Sequence, residues 1–479
     1  MEHPKIHRQQ KRNLIIFLPD QQRADTIACY GGTKVHSPNL SKLASESIIF
    51  DRAYVTQPVC SPSRSSLMTG LWPHTTGCIQ NGSAIDPKFC ILPELLADKD
   101  YRTAYMGKWH LRPPELLARG FEERVSTQGT SDYSEYLASM GLTPDRKEGG
   151  FTELTISNLS SDLSQPRFLA ERACEFIKRM HDEPFILVVA FVEPHSPYNG
   201  PLNDEHSLTD VVLDVSAEQP LPANVPLRYR LIQEWQREQA LSDPEKHEFY
   251  FGITPADYRK LKQRYLGLVT LVDQSIGAIL NCVEQTGLGE STIIAHTSDH
   301  GDMLGAHQLF GKEVMFEEAV RVPYLIRAPG HRPSRISRPV SHIDFVPTLL
   351  DLLDQPRPAQ CVGNSLASLI RGETMPAESV FVEWSPNWRA KFKSKTSLAS
   401  RRLIKRAVAE SSRTVISPDS WKLSLRDKDL NELYNMSDDP KEMRNLYYDG
   451  RYVGVISRLA DEIRRWQEFT RDKCKLPRA

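Results

Sequence analysis

The apolar run Phe185–Val192 is the feature that most restricts how this chain can fold. Eight consecutive apolar residues without an alternating polar face predict a strand buried on both sides, as in a parallel sheet covered by helices. Three shorter runs are interpreted as further strands of the same sheet: Asn13–Leu18, Arg102–Met106 and Ser291–Thr297. Strands of this kind separated by helical segments predict an α/β fold with a large, mostly parallel sheet.

Polar residues follow each of these four strands. They are Asp20-Gln21, Lys108 with His110, His195, and Asp299-His300. Ligands of open parallel α/β sheets bind outside the carboxyl ends of the strands, where such residues meet. The sequence therefore predicts one functional cleft that is built from four separate segments.

The remaining elements divide the chain into two parts. Asp257–Cys282 has a sustained helical period, whereas residues 199–255 predict a long excursion with short helices. Further helices are predicted at residues 36–49, 92–98, 167–181, 343–353 and 455–469, strands at 48–55 and 323–327, and a hairpin at 414–425. A chain of 479 residues is longer than one hydrophobic core usually holds, and the sequence pattern changes near residue 375. We therefore expect a catalytic domain at 1–375 and a smaller domain at 376–479.

Composition excludes several classes of partner. Sixty basic and 61 acidic residues give no overall charge that would favour nucleic acid or a membrane.

The first apolar run, Leu14–Leu18, is too short for a signal sequence or a membrane span, which predicts a cytoplasmic location. The eight cysteines have no paired spacing and are expected to be reduced.

One stretch is strongly basic. Between Glu383 and Glu410 there are eight basic residues and no acid. Two interpretations stay open, a solvated surface loop, or a rim that attracts an anionic substrate or contacts another subunit.

The segment Val59–Gly70 places a cysteine at a helix start. Ser61 suits the N-cap, Pro62 the first helical position, and Gly70 the C-terminal stop. Cys60 would then lie where free N–H groups and the positive helix end attract an anion, and Arg64 can donate two hydrogen bonds to a pair of its oxygens. The segment predicts a site for a tetrahedral anion.

The pattern C-x-P-x-R around Cys60, with its continuation to Thr69-Gly70, resembles the signature of the type I, formylglycine-dependent sulfatases. The resemblance implies that a formylglycine-generating enzyme oxidises Cys60 and that the hydrated aldehyde is the nucleophile. It also implies an alkaline-phosphatase-like catalytic domain and a smaller α+β domain with a short antiparallel sheet. A tyrosine phosphatase pattern fails, because it requires arginine where Ser66 stands.

The acidic strand ends predict a metal site. Carboxylate oxygens favour a hard cation, so we expect Ca²⁺, with Mg²⁺ or Mn²⁺ as alternatives. The resemblance assigns metal ligation to Asp20, Gln21, Cys60, Asp299 and His300. Many sulfatases have a second aspartate at the position of Gln21. The amide at this position resembles the variant seen in phosphonate monoester hydrolases and choline sulfatases.

Four further side chains match catalytic positions of the family. Lys108 and Lys312 supply positive charge for the transferred group, and His195 or Lys312 protonates the leaving oxygen. His110 follows Lys108 in the motif Gly107-Lys108-Trp109-His110. Asn81, within an Asn-Gly turn, is a weaker candidate for substrate contact.

These residues predict hydrolysis of a small sulfated substrate, a sugar, aryl or alkyl sulfate, through a covalent sulfo-enzyme. The alternative on the same scaffold is a phosphonate monoester or phosphodiester hydrolase. An inactive homologue that only binds anions or sugars is the alternative from another class. A homo-oligomer is possible, and no nucleic acid or membrane partner is expected.

Overall fold

The computed structural model describes residues 11–32, 34–128, 131–142, 159–222, 224–386 and 396–477. A large mixed sheet is formed by strands between residues 13 and 341, and a small antiparallel sheet lies nearer the C-terminus. The strands of the large sheet are β1 Asn13–Phe17, β2 Ile48–Tyr54, β3 Arg102–Gly107, β4 Glu123–Val125, β5 Phe185–Ala190, β6 Thr292–Thr297, β7 Arg321–Val322, β8 Tyr324–Arg327 and β9 Ser334–Ser341. The strands of the small sheet are β10 Val380–Trp384, β11 Ser412–Ile416, β12 Trp421–Arg426 and β13 Glu432–Asn435.

The helices cover the sheets and connect their strands. In the described residues they are α1 Pro38–Ser45, α2 Cys60–Thr69, α3 Pro73–Thr76, α4 Glu115–Gly120, α5 Asp132–Ser139, α6 Gln165–Arg179, α7 Leu227–Ser242, α8 Pro244–Phe249, α9 Pro255–Gln285, α10 Glu317–Val320, α11 Phe345–Leu352, α12 Ala367–Ile370, α13 Arg401–Val408 and α14 Val453–Thr470.

The order of the large sheet is β4-β3-β5-β1-β6-β8-β2-β7, and β9 pairs with β2. The strands β4, β3, β5, β1 and β6 are all parallel, whereas β8 is antiparallel to both β6 and β2. The predicted mostly parallel sheet with flanking helices and the short antiparallel sheet are therefore confirmed. Central β1 and its neighbours bring four strand ends to one edge.

The two faces of β1 show why the sheet must be covered on both sides. Leu14 and Ile16 pack with α2 and α11, and Ile15 and Phe17 pack with α6 and α9. Successive residues of a strand point to opposite faces, so a continuous apolar run needs an apolar layer on each side. Helix α9 is long and apolar enough to span a membrane, but 78% of its most apolar window is buried inside the protein, as in a core helix.

Several predicted boundaries are wrong. The helix predicted at 92–98 is a short 3₁₀ turn, Leu92–Leu95, and the excursion at 199–255 contains the 16-residue helix α7. In the basic stretch the interpretation as a loop is wrong for Arg401–Val408, which form helix α13, whose Ile404 and Ala407 pack against Leu231 of α7. The interpretation as a rim stays a prediction. The basic residues Arg389, Lys391, Lys393 and Lys395 lie outside the described residues.

A buried charge pair joins α3 to the small sheet. His74 Nδ1 lies 2.6 Å from Glu383 Oε2, and Nε2 lies 3.3 Å from the carbonyl oxygen of Thr470 in α14. Both ring nitrogens therefore face acceptors, which is the pattern of a charged imidazolium. Burial lowers the pKa of His74, but the carboxylate of Glu383 outweighs it, so the net pKa is raised above 6.5.

We expect His74→Gln to destabilise the protein by about 2 kcal/mol at pH 6, because the variant loses a charge-assisted hydrogen bond. The pKa of His74 is raised on folding, so its contribution is complete below the unfolded value of about 6.5 and is lost as pH rises through the folded pKa. Denaturant unfolding at pH 6 and pH 9 should show a smaller difference from wild type at pH 9. His181→Gln, at an exposed position, is the control, and an equal difference at both pH values would contradict the charged pair.

Candidate active site

The carboxyl edge of the large sheet brings the predicted metal ligands together. The donor atoms of Asp20, Cys60, Asp299 and His300 lie within 4.8 Å of one another, and all four side chains are buried. His300 Nε2 lies 3.1 Å from Cys60 Sγ and 3.7 Å from Asp299 Oδ1. Residues that follow β1 and β6 thus meet at the head of α2.

The ring of His300 is held with its ligand nitrogen toward the cluster. Nδ1 lies 2.9 Å from the carbonyl oxygen of Gly301, which can only accept a hydrogen bond. Nδ1 therefore carries the hydrogen, and Nε2 presents a lone pair to the cluster in the neutral ring. This is the tautomer that a metal ligand needs.

The start of α2 differs from the prediction. Val59 is the N-cap and Cys60 is the first helical residue, so Ser61 is not the cap and Pro62 occupies the third position. Asn81 Oδ1 accepts from the Ser61 amide at 2.9 Å, and the Ser61 hydroxyl donates to the His110 carbonyl at 2.6 Å. Because the Ser61 amide donates to Asn81 and the Ser63 amide donates to the Val59 carbonyl at 3.0 Å, the helix start has fewer free donors for an anion than predicted.

Arg64 also binds different partners from those predicted. Its Nε donates to Asp299 Oδ2 at 2.8 Å and its Nη2 to Asp20 Oδ2 at 3.0 Å, whereas the prediction placed these donors on the substrate. A third bond, from Nη1 to the Lys108 carbonyl, measures 2.7 Å. Arg64 is 1% exposed, and it holds the two carboxylates in place because β1 and β6 end on either side of it.

Lys108 enters the cluster from β3. Its Nζ lies 3.0 Å from Asp20 Oδ2, and its amide donates to the Ala190 carbonyl at 2.8 Å. The preceding residue must be glycine, because Gly107 has φ +103° and an added Cβ would lie 2.0 Å from the Ala190 oxygen. This close approach turns the chain so that Lys108 points inward.

Lys312 and His195 form a second group beside the cluster. Lys312 Nζ lies 2.5 Å from Gln21 Oε1 and 2.9 Å from His195 Nε2. His195 Nδ1 lies 2.6 Å from the Ser196 carbonyl, so Nδ1 carries the hydrogen and Nε2 accepts from the lysine. Two other predicted residues lie at the start of α2, where the Asn81 side chain and the His110 backbone carbonyl each accept a hydrogen bond from Ser61.

The charges around Cys60 act in opposite directions. Burial and Asp20 raise the pKa of the thiol, but Lys312, Lys108 and His300 outweigh them and hold the pKa well below 9. The pKa of Asp20 is likewise raised by burial, but the charges of Lys108 and Arg64 hold it well below its usual value. The site thus stabilises negative charge at the position of Cys60.

The carboxylates of Asp20 and Asp299 share one buried space, which indicates a bound cation. Burial and the charge of Asp20 raise the pKa of Asp299, so a bound cation would favour its ionised form. The two carboxylates and one imidazole of the cluster, together with the amide oxygen predicted from Gln21, would form a donor set rich in oxygen, which suits Ca²⁺ or Mg²⁺ better than Zn²⁺. These residues fit the divalent cation that the sequence predicts.

Sequence reasoning missed two residues that support the site. Asp302 is buried and accepts a hydrogen bond from the Gln21 amide, and Tyr198 donates to it at 2.5 Å. Asp302 lies in the same polar run as Asp299, and Tyr198 lies three residues after His195. Their nearness to those residues was the available signal.

Comparison with known proteins gives two matching family models. The model described as "Sulfatase" matches residues 12–355, and the model described as "N-sulphoglucosamine sulphohydrolase, C-terminal" matches residues 305–469. The first model alone covers more than half of the chain. It also spans all the residues discussed at the site.

Proteins that are similar over most of this chain are also found. The N-acetylglucosamine-6-O-sulfatase of Bacteroides thetaiotaomicron is 26% identical over 98% of this chain and 88% of its own, and the choline-sulfatase of Rhizobium meliloti is 28% identical over 91% and 82%. The structure of a phosphonate monoester hydrolase from Silicibacter pomeroyi matches with a TM-score of 0.78 and 23% identity, over 97% of this chain and 96% of that one. The last likeness shows a shared fold.

Proposed function

The chain belongs to the sulfatase family and is a sulfuric ester hydrolase, and we propose that it cleaves the S–O bond of a sulfate monoester with a formylglycine derived from Cys60 and a divalent cation, Ca²⁺. The observation that carries the proposal is the buried cluster in which Cys60 lies among Asp20, Asp299 and His300. A thiol is a poor choice beside two carboxylates and a hard cation, whereas a hydrated aldehyde offers oxygen to both cation and substrate.

The cation would be held by Asp20, Gln21, Asp299 and His300, with the modified Cys60 facing it. When bound, it supplies positive charge that polarises the sulfate oxygens and favours an ionised hydroxyl at position 60. Arg64 keeps both carboxylates pointing inward by its two hydrogen bonds. Lys108 and Lys312 add fixed positive charge where the sulfate group would lie.

Lys312 and His195 would deliver the proton to the leaving oxygen. In the hydrogen bond between these two side chains, Lys312 Nζ is the donor and His195 Nε2 is the acceptor. An ammonium has three hydrogens, and Gln21 and His195 take two of them, which leaves one for the leaving oxygen. His195 would share the proton with Lys312 during the reaction, since its Nε2 lies 2.9 Å from Lys312 Nζ.

Loss of this proton should matter most for poor leaving groups. We expect Lys312→Met to lower kcat/KM by about 10³-fold for an alkyl sulfate but by only about 10-fold for nitrophenyl sulfate, whose leaving group needs no proton. The measurement is kcat/KM against leaving-group pKa for a series of sulfate esters. Lys260→Met, at an exposed lysine, is the control, and an unchanged slope in Lys312→Met would contradict the role.

Mass spectrometry of the peptide that contains Cys60 tests the proposed nucleophile. The expected result is an aldehyde or its hydrate at position 60 in active protein that was made together with a formylglycine-generating enzyme. Cys60 is 1% exposed and all of α2 is buried, so that enzyme must act before the chain folds. Unmodified cysteine in fully active protein would overturn the proposal.

A phosphonate monoester or phosphodiester hydrolase is the second candidate. Gln21 motivates it, because an amide at this position resembles that of phosphonate monoester hydrolases, and a solved hydrolase of that class shares the fold. Turnover of matched aryl sulfate and aryl phosphonate esters by one preparation separates the two. A higher kcat/KM for the sulfate supports the first proposal, and a large preference for the phosphonate supports the second.

A further inference from the structure

Asp302 binds four donors that come from different segments of the site. Its Oδ2 accepts from the Gln21 side-chain amide and from the Tyr198 hydroxyl, the latter at 2.5 Å. Its Oδ1 accepts from the backbone amides of Leu304 and Gly311, each at 2.9 Å. The side chain is fully buried, so these four bonds account for the carboxylate.

Each of these segments carries a residue of the proposed mechanism. Gln21 follows Asp20, Tyr198 lies three residues after His195, and Gly311 precedes Lys312. Asp302 itself lies three residues after Asp299. One carboxylate thus ties the end of β1, the loop after β5 and the loop with Lys312 to the end of β6.

The partners of Gln21 allow one orientation of its amide. Asp302 can only accept hydrogen bonds, and the Lys312 ammonium can only donate them. The NH₂ group must therefore face Asp302, and Oε1 must face Lys312. The backbone of Gln21 is held as well, at φ +69°, by its amide to Asp299 Oδ1 at 3.0 Å and by the Tyr265 hydroxyl to its carbonyl at 2.8 Å.

We propose that Asp302 is a positioning residue that turns the Gln21 oxygen toward the cation and Lys312, and that Gln21 and Asp302 form a matched amide and carboxylate pair. The inference rests on the proposed function for the role of the cation. It accounts for the amide at position 21, since a carboxylate there would face the buried carboxylate of Asp302 at hydrogen-bonding distance. An acid at position 21 requires a neutral partner at position 302.

An exchange of the two groups tests this pairing. Gln21→Glu keeps the shape of the side chain but opposes two buried carboxylates, and Asp302→Asn removes the acceptor that Gln21 and Tyr198 need. In the double variant, the amide introduced at position 302 can donate to the carboxylate introduced at position 21, while its oxygen still accepts from the amides of Leu304 and Gly311. The bond between positions 21 and 302 is then restored with its negative charge moved to position 21, whereas the Tyr198 hydroxyl no longer has a carboxylate oxygen to bond.

The variants are compared by Ca²⁺ titration of the metal-free protein and by kcat/KM. We expect Asp302→Asn to weaken Ca²⁺ binding about 10- to 100-fold, as for other residues that orient metal ligands, and to lower kcat/KM by about 100-fold. We expect Gln21→Glu to lower kcat/KM to a similar extent and to lower the melting temperature of the metal-free protein. The double variant should recover at least about 10-fold in kcat/KM over either single variant.

Asp273→Asn is the matched control. Asp273 is also buried and accepts from a side-chain amide, that of Asn39, and from the backbone amide of Leu40, but it packs against α1 away from the cluster. This variant should lower stability without changing the Kd for Ca²⁺. A wild-type Kd in Asp302→Asn would overturn the inference.

The inference would also be overturned if the fold-losses in kcat/KM of the two single variants simply multiplied in the double variant. The proposed function fails separately, if the wild-type protein hydrolyses no sulfate ester. In that case the pairing is judged by the Ca²⁺ titrations and melting temperatures of the same four proteins. Recovery of both in the double variant would then support it.

Discussion

Cys60→Ala should lower the turnover of sulfate esters by about 10⁴-fold or more, as expected when an enzyme loses its nucleophile. Alanine lacks the thiol on which the oxidation to formylglycine depends, so no hydrated aldehyde can form at the head of α2. The fold should remain, because the change removes one buried sulfur atom and costs about 1 kcal/mol. Steady-state rates on nitrophenyl sulfate and a thermal melt measure the two effects.

Cys78→Ala is the matched control for this variant. Cys78 is also buried, but its thiol donates to the Ser83 carbonyl and packs in the core. It should retain nearly full activity with a similar loss of stability. More than about 1% of wild-type activity in Cys60→Ala would contradict the assignment of Cys60 as the precursor of the nucleophile.

Arg64→Met should affect both activity and stability. Arg64 is bonded to Asp20 and Asp299 with side chains that are 1% or less exposed, so its removal leaves two buried carboxylates facing each other. Breaking a buried pair of this kind destabilises a protein by about 3–5 kcal/mol. Turnover should fall by about 100-fold or more, because the carboxylates lose the positions they need.

The loss of stability in Arg64→Met should depend on the cation. Ca²⁺ neutralises the same two carboxylates, so the variant should lose more stability in the presence of a chelator than with saturating Ca²⁺. Denaturant unfolding of wild type and variant in both conditions measures the difference. Arg119→Met, at a half-exposed arginine on α4, is the control, and an equal loss in both conditions would contradict a cation at this position.

Elements with a strong apolar pattern could be predicted from the sequence. The strand β5 and the helix α9 are predicted correctly, because their burial depends on apolar surface that the sequence displays directly. The parallel arrangement followed from the same continuous runs. The hairpin of β11 and β12 and the closing helix α14 are also confirmed.

Helix α7 could not be predicted in this way. Its buried face includes Arg228, which pairs with Glu410 at 2.8 Å, and Gln236, which binds the backbone of Phe310 through both its oxygen and its nitrogen. A polar side chain is buried only where a partner satisfies it, and these partners lie far along the chain. Apolar periodicity therefore does not reveal this helix.

The same reason explains the error at the start of α2. Ser61 has the composition of an N-cap, and the local pattern correctly predicts a helix start. The hydroxyl of Ser61 instead binds the His110 carbonyl, and Asn81 supplies the oxygen that caps its amide. Capping by a residue 20 positions away cannot be seen in the local sequence.

By itself the sequence determined the family, the sheet and the chemical groups at the strand ends, because apolar runs and the C-x-P-x-R pattern are local properties. Only the tertiary structure decided which of those groups touch. It directs Arg64 to Asp20 and Asp299, and it joins Gln21 to Asp302 across 281 positions. These contacts depend on β1 lying between β5 and β6, and strand order results from the packing of the whole sheet.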